Sequence, residues 1–317
     1  MPRPNARTKP RRTRSRATKV TAAGLVALLA LTVTTACSST NTKASRTKAP
    51  RTSAGDPGLT KLLPRDIASR GVIRVSGSQD VPPWNYVDGS SVRGIDTEIL
   101  NHMGSLLGVR FVYQRNAFSS EIPALQAKRF DLIMDEIADT TEREKVVSFV
   151  DYSVELNSIV VKKGNPQHIN GLNGLCGHSV ALQPGQSAIP IVAAQQPKCA
   201  AAGKNSIKVV STPTTSSGYT AVASGRVDST MNGYSTMAYT IAQGGAAGGL
   251  EIAPGSFGRV QVGIAFRKGE TALGEVLRQT LAKMIADGSY AAIMAKYKVK
   301  DLSVSKALVN NAAANEN

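Results

Sequence analysis

The sequence predicts an α/β protein made of two successive units. Three observations carry this. Short β-branched runs alternate with amphipathic helical stretches across residues 72–140. The alternation restarts after the apolar run at 158–162, and the chain then turns to a strongly amphipathic helical pair at 273–297. Strand–helix–strand order argues for mainly parallel sheets with helices on their faces. The length of 317 residues suits about two domains at ~100–200 residues each.

The elements follow in order. Residues 72–75 (Val-Ile-Arg-Val) read as a strand after a glycine. Residues 95–107 read as a helix, because Ile95, Ile99, Met103, Leu106 and Leu107 share one face. Residues 109–113 and 130–134 are strands, with a short helix at 122–128 between them and a helix start around Thr140. Residues 158–162 and 179–182 are strands, the second running into a turn at Gly185. Helices follow at 187–195, 215–224 and 235–242, interleaved with strands at 207–210 and 227–231. Residues 260–266 form a strand. Leu273, Val276, Leu277, Thr280, Leu281, Met284 and Ile285 line one helix face, and Tyr290, Ile293, Met294 and Tyr297 mark a last helix. Periodicity alone leaves open whether that pair caps the second unit or returns to the first.

Composition narrows the function classes. With 42% hydrophobic and 19% charged residues the chain can bury a core. The net charge of +16 is concentrated at the N-terminus: residues 1–37 carry +8, residues 38–57 carry +3, and the rest carries only +5. With one Trp and no zinc-type Cys/His spacing, a nucleic-acid partner is not expected. No metal or cofactor is expected either, since His102, His168 and His178 are scattered.

The N-terminus reads as an address. Eight Lys/Arg precede a short apolar stretch at 21–33, then Ala36-Cys37. A basic segment, a short apolar segment and a small residue before the cut describe a secretory signal peptide. Ala36-Cys37 resembles a lipobox, with Thr34 where Leu is usual, which implies cleavage after residue 36 and lipidation of Cys37. Residues 37–57 are polar and read as a disordered tether. Cys176 and Cys199 then remain, and an oxidising compartment favours a disulfide between them; the alternative is two unlinked buried thiols.

Eight motifs in order carry a family likeness: Val81-Pro82-Pro83-Trp84, Gly94-Ile95-Asp96, Ile122-Pro123-Ala124-Leu125, Asp131-Leu132-Ile133, Thr140-Thr141-Glu142-Arg143, Phe149-Val150-Asp151, Gly225-Arg226-Val227-Asp228 and Asp287-Gly288-Ser289-Tyr290. Together they resemble the polar-amino-acid class of ABC-transporter substrate-binding proteins (extracellular solute-binding family 3), of the actinobacterial lipoprotein type. The resemblance implies a two-lobed type II periplasmic-binding-protein fold, with each lobe a mainly parallel sheet flanked by helices and two hinge strands between them. Lobe 1 would hold residues 58–155 plus 262–302, lobe 2 residues 156–261, and residues 303–317 would be a flexible tail.

The implied function is a monomeric, lipid-anchored receptor on the outer face of the cell membrane. It would capture an amino acid or related zwitterionic or cationic compound and deliver it to an ABC permease. The alternatives are a dehydratase-like enzyme on the same scaffold, or a sensing module without a transporter. Arg143 would clamp the ligand carboxylate with its planar fork. Thr140 and Ala138 share its loop. Gly185 and Ser187 open a helix and would add donors for the same carboxylate. Phe118 and Trp84 would wall the ligand side chain. Many relatives have an aspartate for the ligand ammonium where this chain has Gly233. Asp135 or Glu136 would compensate, with only one of the pair facing the cleft, Glu136 preferred, and Asp80 is a third candidate.

Overall fold

The computed structural model describes residues 55–316, Ser256 excepted. The signal peptide, Cys37 and nearly all of the tether lie outside the described residues. Asp56 and Pro57, expected in the tether, belong instead to the folded part. Helix α1 (Pro57–Thr60) starts on the Asp56 carboxylate, which accepts from the Gly58 and Leu59 N–H groups.

Helix α2 (Arg65–Arg70) leads through Gly71 into β1 (Val72–Gly77). A small antiparallel sheet follows: β2 (Asp80–Val81), β3 (Asn85–Asp88) and β4 (Ser91–Arg93). The chain enters α3 (Ile95–Leu107) through Gly94 at φ 122, where a Cβ would lie 2.1 Å from the Trp84 carbonyl oxygen. Only glycine lets the two backbones approach that closely. Next come β5 (Arg110–Arg115), α4 (Phe118–Gln126), β6 (Leu132–Ile133) and α5 (Thr141–Glu144). Strand β7 (Val147–Lys162) is sixteen residues long, where sequence reading found only its last five.

Beyond it lie β8 (Ser179–Leu182), α6 (Ala188–Ala201), β9 (Lys208–Ser211), α7 (Thr215–Ala223), β10 (Ser229–Gly233), α8 (Tyr234–Ala242) and β11 (Leu250–Ile252). Strand β12 (Phe257–Arg267) returns, followed by α9 (Thr271–Ala286), α10 (Ser289–Lys296) and β13 (Ser303–Val309).

The main sheet has the path β5-β1-β6-β12-β7-β10-β8-β9. Strands β5, β1 and β6 are parallel, as are β10, β8 and β9. The antiparallel pair β7/β12 joins the two parallel halves, and the expected lobe boundaries at 155/156 and 261/262 fall inside these two strands. Each half is buried on both faces. Apolar residues of β1, α3, α9 and α10 form one core of the first half, and α4 with Phe130, Val147 and Phe149 covers the other face. In the second half, α6 closes one face and α7 with Met237 of α8 the other. The β-branched runs are sheet interiors of this doubly covered kind. A Cys176–Cys199 disulfide, with Cα atoms 5.4 Å apart, ties the loop before β8 to α6.

The tail corrects the sequence reading. Residues 303–309 form β13, which pairs antiparallel with β7 (Ser303↔Ser153, Val309↔Val150). Beyond it the Asn311 and Ala312 N–H groups donate to Asp139 and Glu144 at 2.9 Å each. The tail is polar and alanine-rich and shows no strand pattern. It is ordered because an exposed edge of β7 offers unpaired backbone groups.

Candidate functional site

The two halves of the sheet face each other across a small cavity of about 50 Å³. It is lined by Val81, Phe118, Asp135, Glu136, Ala138 and Arg143 from one side, and by Asn157, Gln183, Gln186, Ser187, Thr215 and Asn232 from the hinge strand and the other. Sequence reading identified Arg143, Ser187, Phe118, Asp135, Glu136 and Ala138 as candidates, and the structure brings these six together.

Arg143 sits on the single turn of α5. Thr140 caps that turn, its hydroxyl accepting from the Arg143 N–H at 3.2 Å. Thr140 is therefore a positioning residue and not part of the cavity wall. The Arg143 guanidinium spans the cleft: Nη1 donates to the Ala138 carbonyl at 2.5 Å, and Nη2 to the Gly185 carbonyl at 2.8 Å. Its Cζ lies 5.7 Å from the Phe118 ring centroid, a cation–π approach. Burial lowers its pKa to about 10, opposed by the Glu121 and Asp139 carboxylates. It stays a cation at neutral pH, and its fork donates to two neutral carbonyl oxygens. Gly185, at φ 88, contributes its carbonyl to this contact. Ser187 stands at the start of α6, and its hydroxyl makes no capping bond to the helix.

Two acids line the same cavity. Both Asp135 and Glu136 line the cavity, which corrects the expectation that one would turn away. Glu136 has φ 50, so the chain is not extended there and the side chains do not alternate. Asp135 is fully buried and accepts from the Ser78 N–H and hydroxyl at 3.0 Å each; burial pushes its carboxyl up to about 7. The Glu136 carboxylate accepts from the Thr236 hydroxyl at 2.8 Å. Burial first, then the neighbouring Glu155, pushes its carboxyl well above the usual range.

Two other candidates lie elsewhere. Trp84 is fully buried in the first core, edge-on to Tyr152 at 5.8 Å, and donates through Nε1 to the Ser235 hydroxyl at 2.9 Å. It is a core residue because its indole N–H finds a partner inside the protein. Asp80 accepts from the Ser216 hydroxyl and N–H at 2.5 and 3.1 Å, outside the cavity, and latches the two lobes at their rim.

Sequence reasoning missed Glu155, Asn157, Gln183, Gln186, Thr215 and Asn232. Gln183 and Gln186 flank the turn at Gly185 and were within reach. Glu155 and Asn157 lie mid-strand on β7, where nothing local marks them. Glu155 is 2% exposed and accepts from the Leu156 and Ser235 N–H groups and the Ser235 hydroxyl. Position 233 explains the crowding: a Cβ there would meet Glu136 Oε1 at 2.0 Å and Glu155 Cδ at 2.9 Å. The glycine makes room for two acid side chains. Among the described residues no group of three His, Cys, Asp or Glu could hold a metal.

One cation and two carboxylates thus line one small space. The arrangement fits a molecule with a carboxylate at one end and positive charge at the other.

Residues 73–300 match the bacterial extracellular solute-binding proteins, family 3. The arginine-binding protein ArgT of Corynebacterium glutamicum is 24% identical over 261 residues, covering 82% of this chain and 84% of that protein. An ancestral arginine-binding protein bound to arginine superposes with a TM-score of 0.65 at 30% identity, covering 72% of this chain and 99% of that one. Holo ArgBP from T. maritima gives a TM-score of 0.63 at 27% identity, covering 74% of this chain and 99% of that one.

Proposed function

Since the chain belongs to the bacterial extracellular solute-binding proteins, family 3, with a solute-binding role for amino acids, we propose that its ligand is a cationic amino acid, L-arginine foremost. The observation that carries this reading is the charge of the cavity wall, where the cationic Arg143 and the acids Asp135 and Glu136 line one space. The ligand carboxylate would take the Arg143 fork from the Ala138 and Gly185 carbonyls, assisted by Ser187 and the first amides of α6. The ligand cations would face Asp135 and Glu136. Arginine named on one sequence relative and on one solved structure that superposes on this chain supports the same class.

The cavity of about 50 Å³ is smaller than the ~300–1,000 Å³ of common ligand sites. Entry therefore requires the lobes to part about β7 and β12, a hinge motion that the Asp80–Ser216 latch and the Arg143–Gly185 contact oppose. The receptor would act as a monomer, return its ligand unaltered and pass it to an ABC permease. A lipid on Cys37 would hold it at the outer face of the membrane.

A thermal-shift screen over the amino acids tests the reading. Arginine, lysine or ornithine should raise the melting temperature most, since a ligand at about 100 times its dissociation constant stabilises by roughly 2.7 kcal/mol. Stabilisation by glutamate or leucine, with none by the cationic amino acids, would reject it.

A further inference from the structure

Glu155 has no place in the reading above, yet it is buried beside the cavity, with 2% of its surface exposed. It rises from the hinge strand β7 beneath Gly233. Glu136 reaches the same point from the first lobe. From the position a Cβ of residue 233 would take, Glu136 Oε1 is 2.0 Å away and Glu155 Cδ 2.9 Å. Each acid has a hydroxyl of α8 behind it, Thr236 for Glu136 and Ser235 for Glu155. The Ser235 hydroxyl is held in turn by Trp84 Nε1.

Among the described residues, the groups recorded against this pair are acids, hydroxyls and backbone amides. Glu136 is faced by Asp96 from α3, Asp135 from the loop after β6, Tyr152 from β7 and Tyr219 from α7. Glu155 is faced by the amides of Leu156, Tyr234 and Ser235. Among the lining residues the sole cation is Arg143, whose fork is turned to the Ala138 and Gly185 carbonyls. Two carboxylates this close in a dry site cannot both ionise without a cation between them.

We propose that Glu136 and Glu155, meeting in the space left by Gly233, share one proton and exchange it for the cationic end of the ligand, so that capture releases a proton to solvent. The step balances. One O–H bond of a carboxylic acid breaks, its proton passes to water, and the carboxylate left behind pairs with the ligand cation. The proposal rests on the cationic-amino-acid reading for the ligand, and on the structure alone for the paired acids. Raised acidity of the surroundings would then loosen binding, because protons compete with the ligand for the same pair.

Calorimetry of the full-length chain with L-arginine, in buffers of different ionisation enthalpy from pH 5 to 8, reads the proton directly. Release should approach one proton per arginine at the acid end and fade toward the alkaline end. Over the releasing range affinity should rise about tenfold per pH unit, then level. Glu155→Gln and Glu136→Gln should each abolish the release and flatten the pH dependence. Arginine binding without proton release at any pH, or release unchanged in both variants, overturns the proposal. Should arginine fail to bind the unaltered protein, the ligand reading fails and infrared spectroscopy of the ligand-free chain decides about the pair. A protonated-carboxyl carbonyl band lost in both variants supports it, and identical spectra overturn it.

Discussion

Arg143 gathers more of the site's chemistry than any other side chain. Its guanidinium touches both lobes through the Ala138 and Gly185 carbonyls and leans on Phe118. Arg143→Ala should weaken arginine binding by about 2–5 kcal/mol, the scale for truncating one partner of a buried charge pair. Arg143→Lys should restore only part, because an ammonium cannot present two parallel donors. Calorimetry on variants with unchanged melting temperature checks both. Gly233 is the complementary case. A methyl group there would displace Glu136 and Glu155. Gly233→Ala should cost about 1–3 kcal/mol of stability, as overpacking does, and should also weaken binding. Wild-type behaviour of that variant would mean that the two acids have room to spare.

Among the elements, β7 and the segments clipped to it matter most. The strand carries Asp151, Glu155 and Asn157, pairs with β12 from Val147 to Asn157, and is edged by β13. Deleting residues 303–317 would remove that edge pairing and the two amides that hold Asp139 and Glu144, which flank Arg143 on its loop. The truncated chain should melt lower and bind arginine more weakly, although none of the deleted residues lines the cavity. Equal affinity in the truncated chain would show that the strap stabilises without positioning Arg143. The disulfide acts differently. It links cysteines 23 positions apart, neither of which lines the cavity, and Cys199→Ser should lower stability by roughly 3 kcal/mol while leaving affinity nearly unchanged.

For the folded protein taken together, the buried acids set the pH dependence. Asp96, Asp135 and Asp151 have carboxyls pushed up to about 6, about 7 and about 7, chiefly by burial. Between about pH 4 and these values the folded state holds protons that the unfolded chain has released. Stability of the ligand-free protein therefore falls as pH rises from about 4 to about 7. Asp131 has the opposite sign. Burial pushes its carboxyl up, but hydrogen bonds from Arg74 and Arg70 outweigh this and hold it below the usual range. Its contribution is present above about pH 4 and is lost as pH drops through its folded pKa. The melting temperature without ligand should thus peak on the acid side of neutrality. A melting temperature that climbs steadily from pH 4 to pH 8 would contradict the burial of these acids.

The alternation of β-branched runs and helical faces dictated an α/β protein, because period 2 and period 3.6 are local properties of the chain. The Thr140-to-Arg143 turn and the Gln183-to-Ser187 turn were legible for the same reason: capping and turn chemistry are written in consecutive residues. Contacts between distant residues were not. Trp84 read as a cavity wall until Ser235, 151 positions later, gave its N–H a partner. The tail read as flexible until β7 offered it an edge. Glu155 carried no local signal until Gly233 and Glu136 closed around it from other parts of the chain. A side chain's role at such places depends on what the fold brings against it. Long-range pairing sets the desolvation, the hydrogen-bond partners and the neighbouring charge, and no local pattern encodes them.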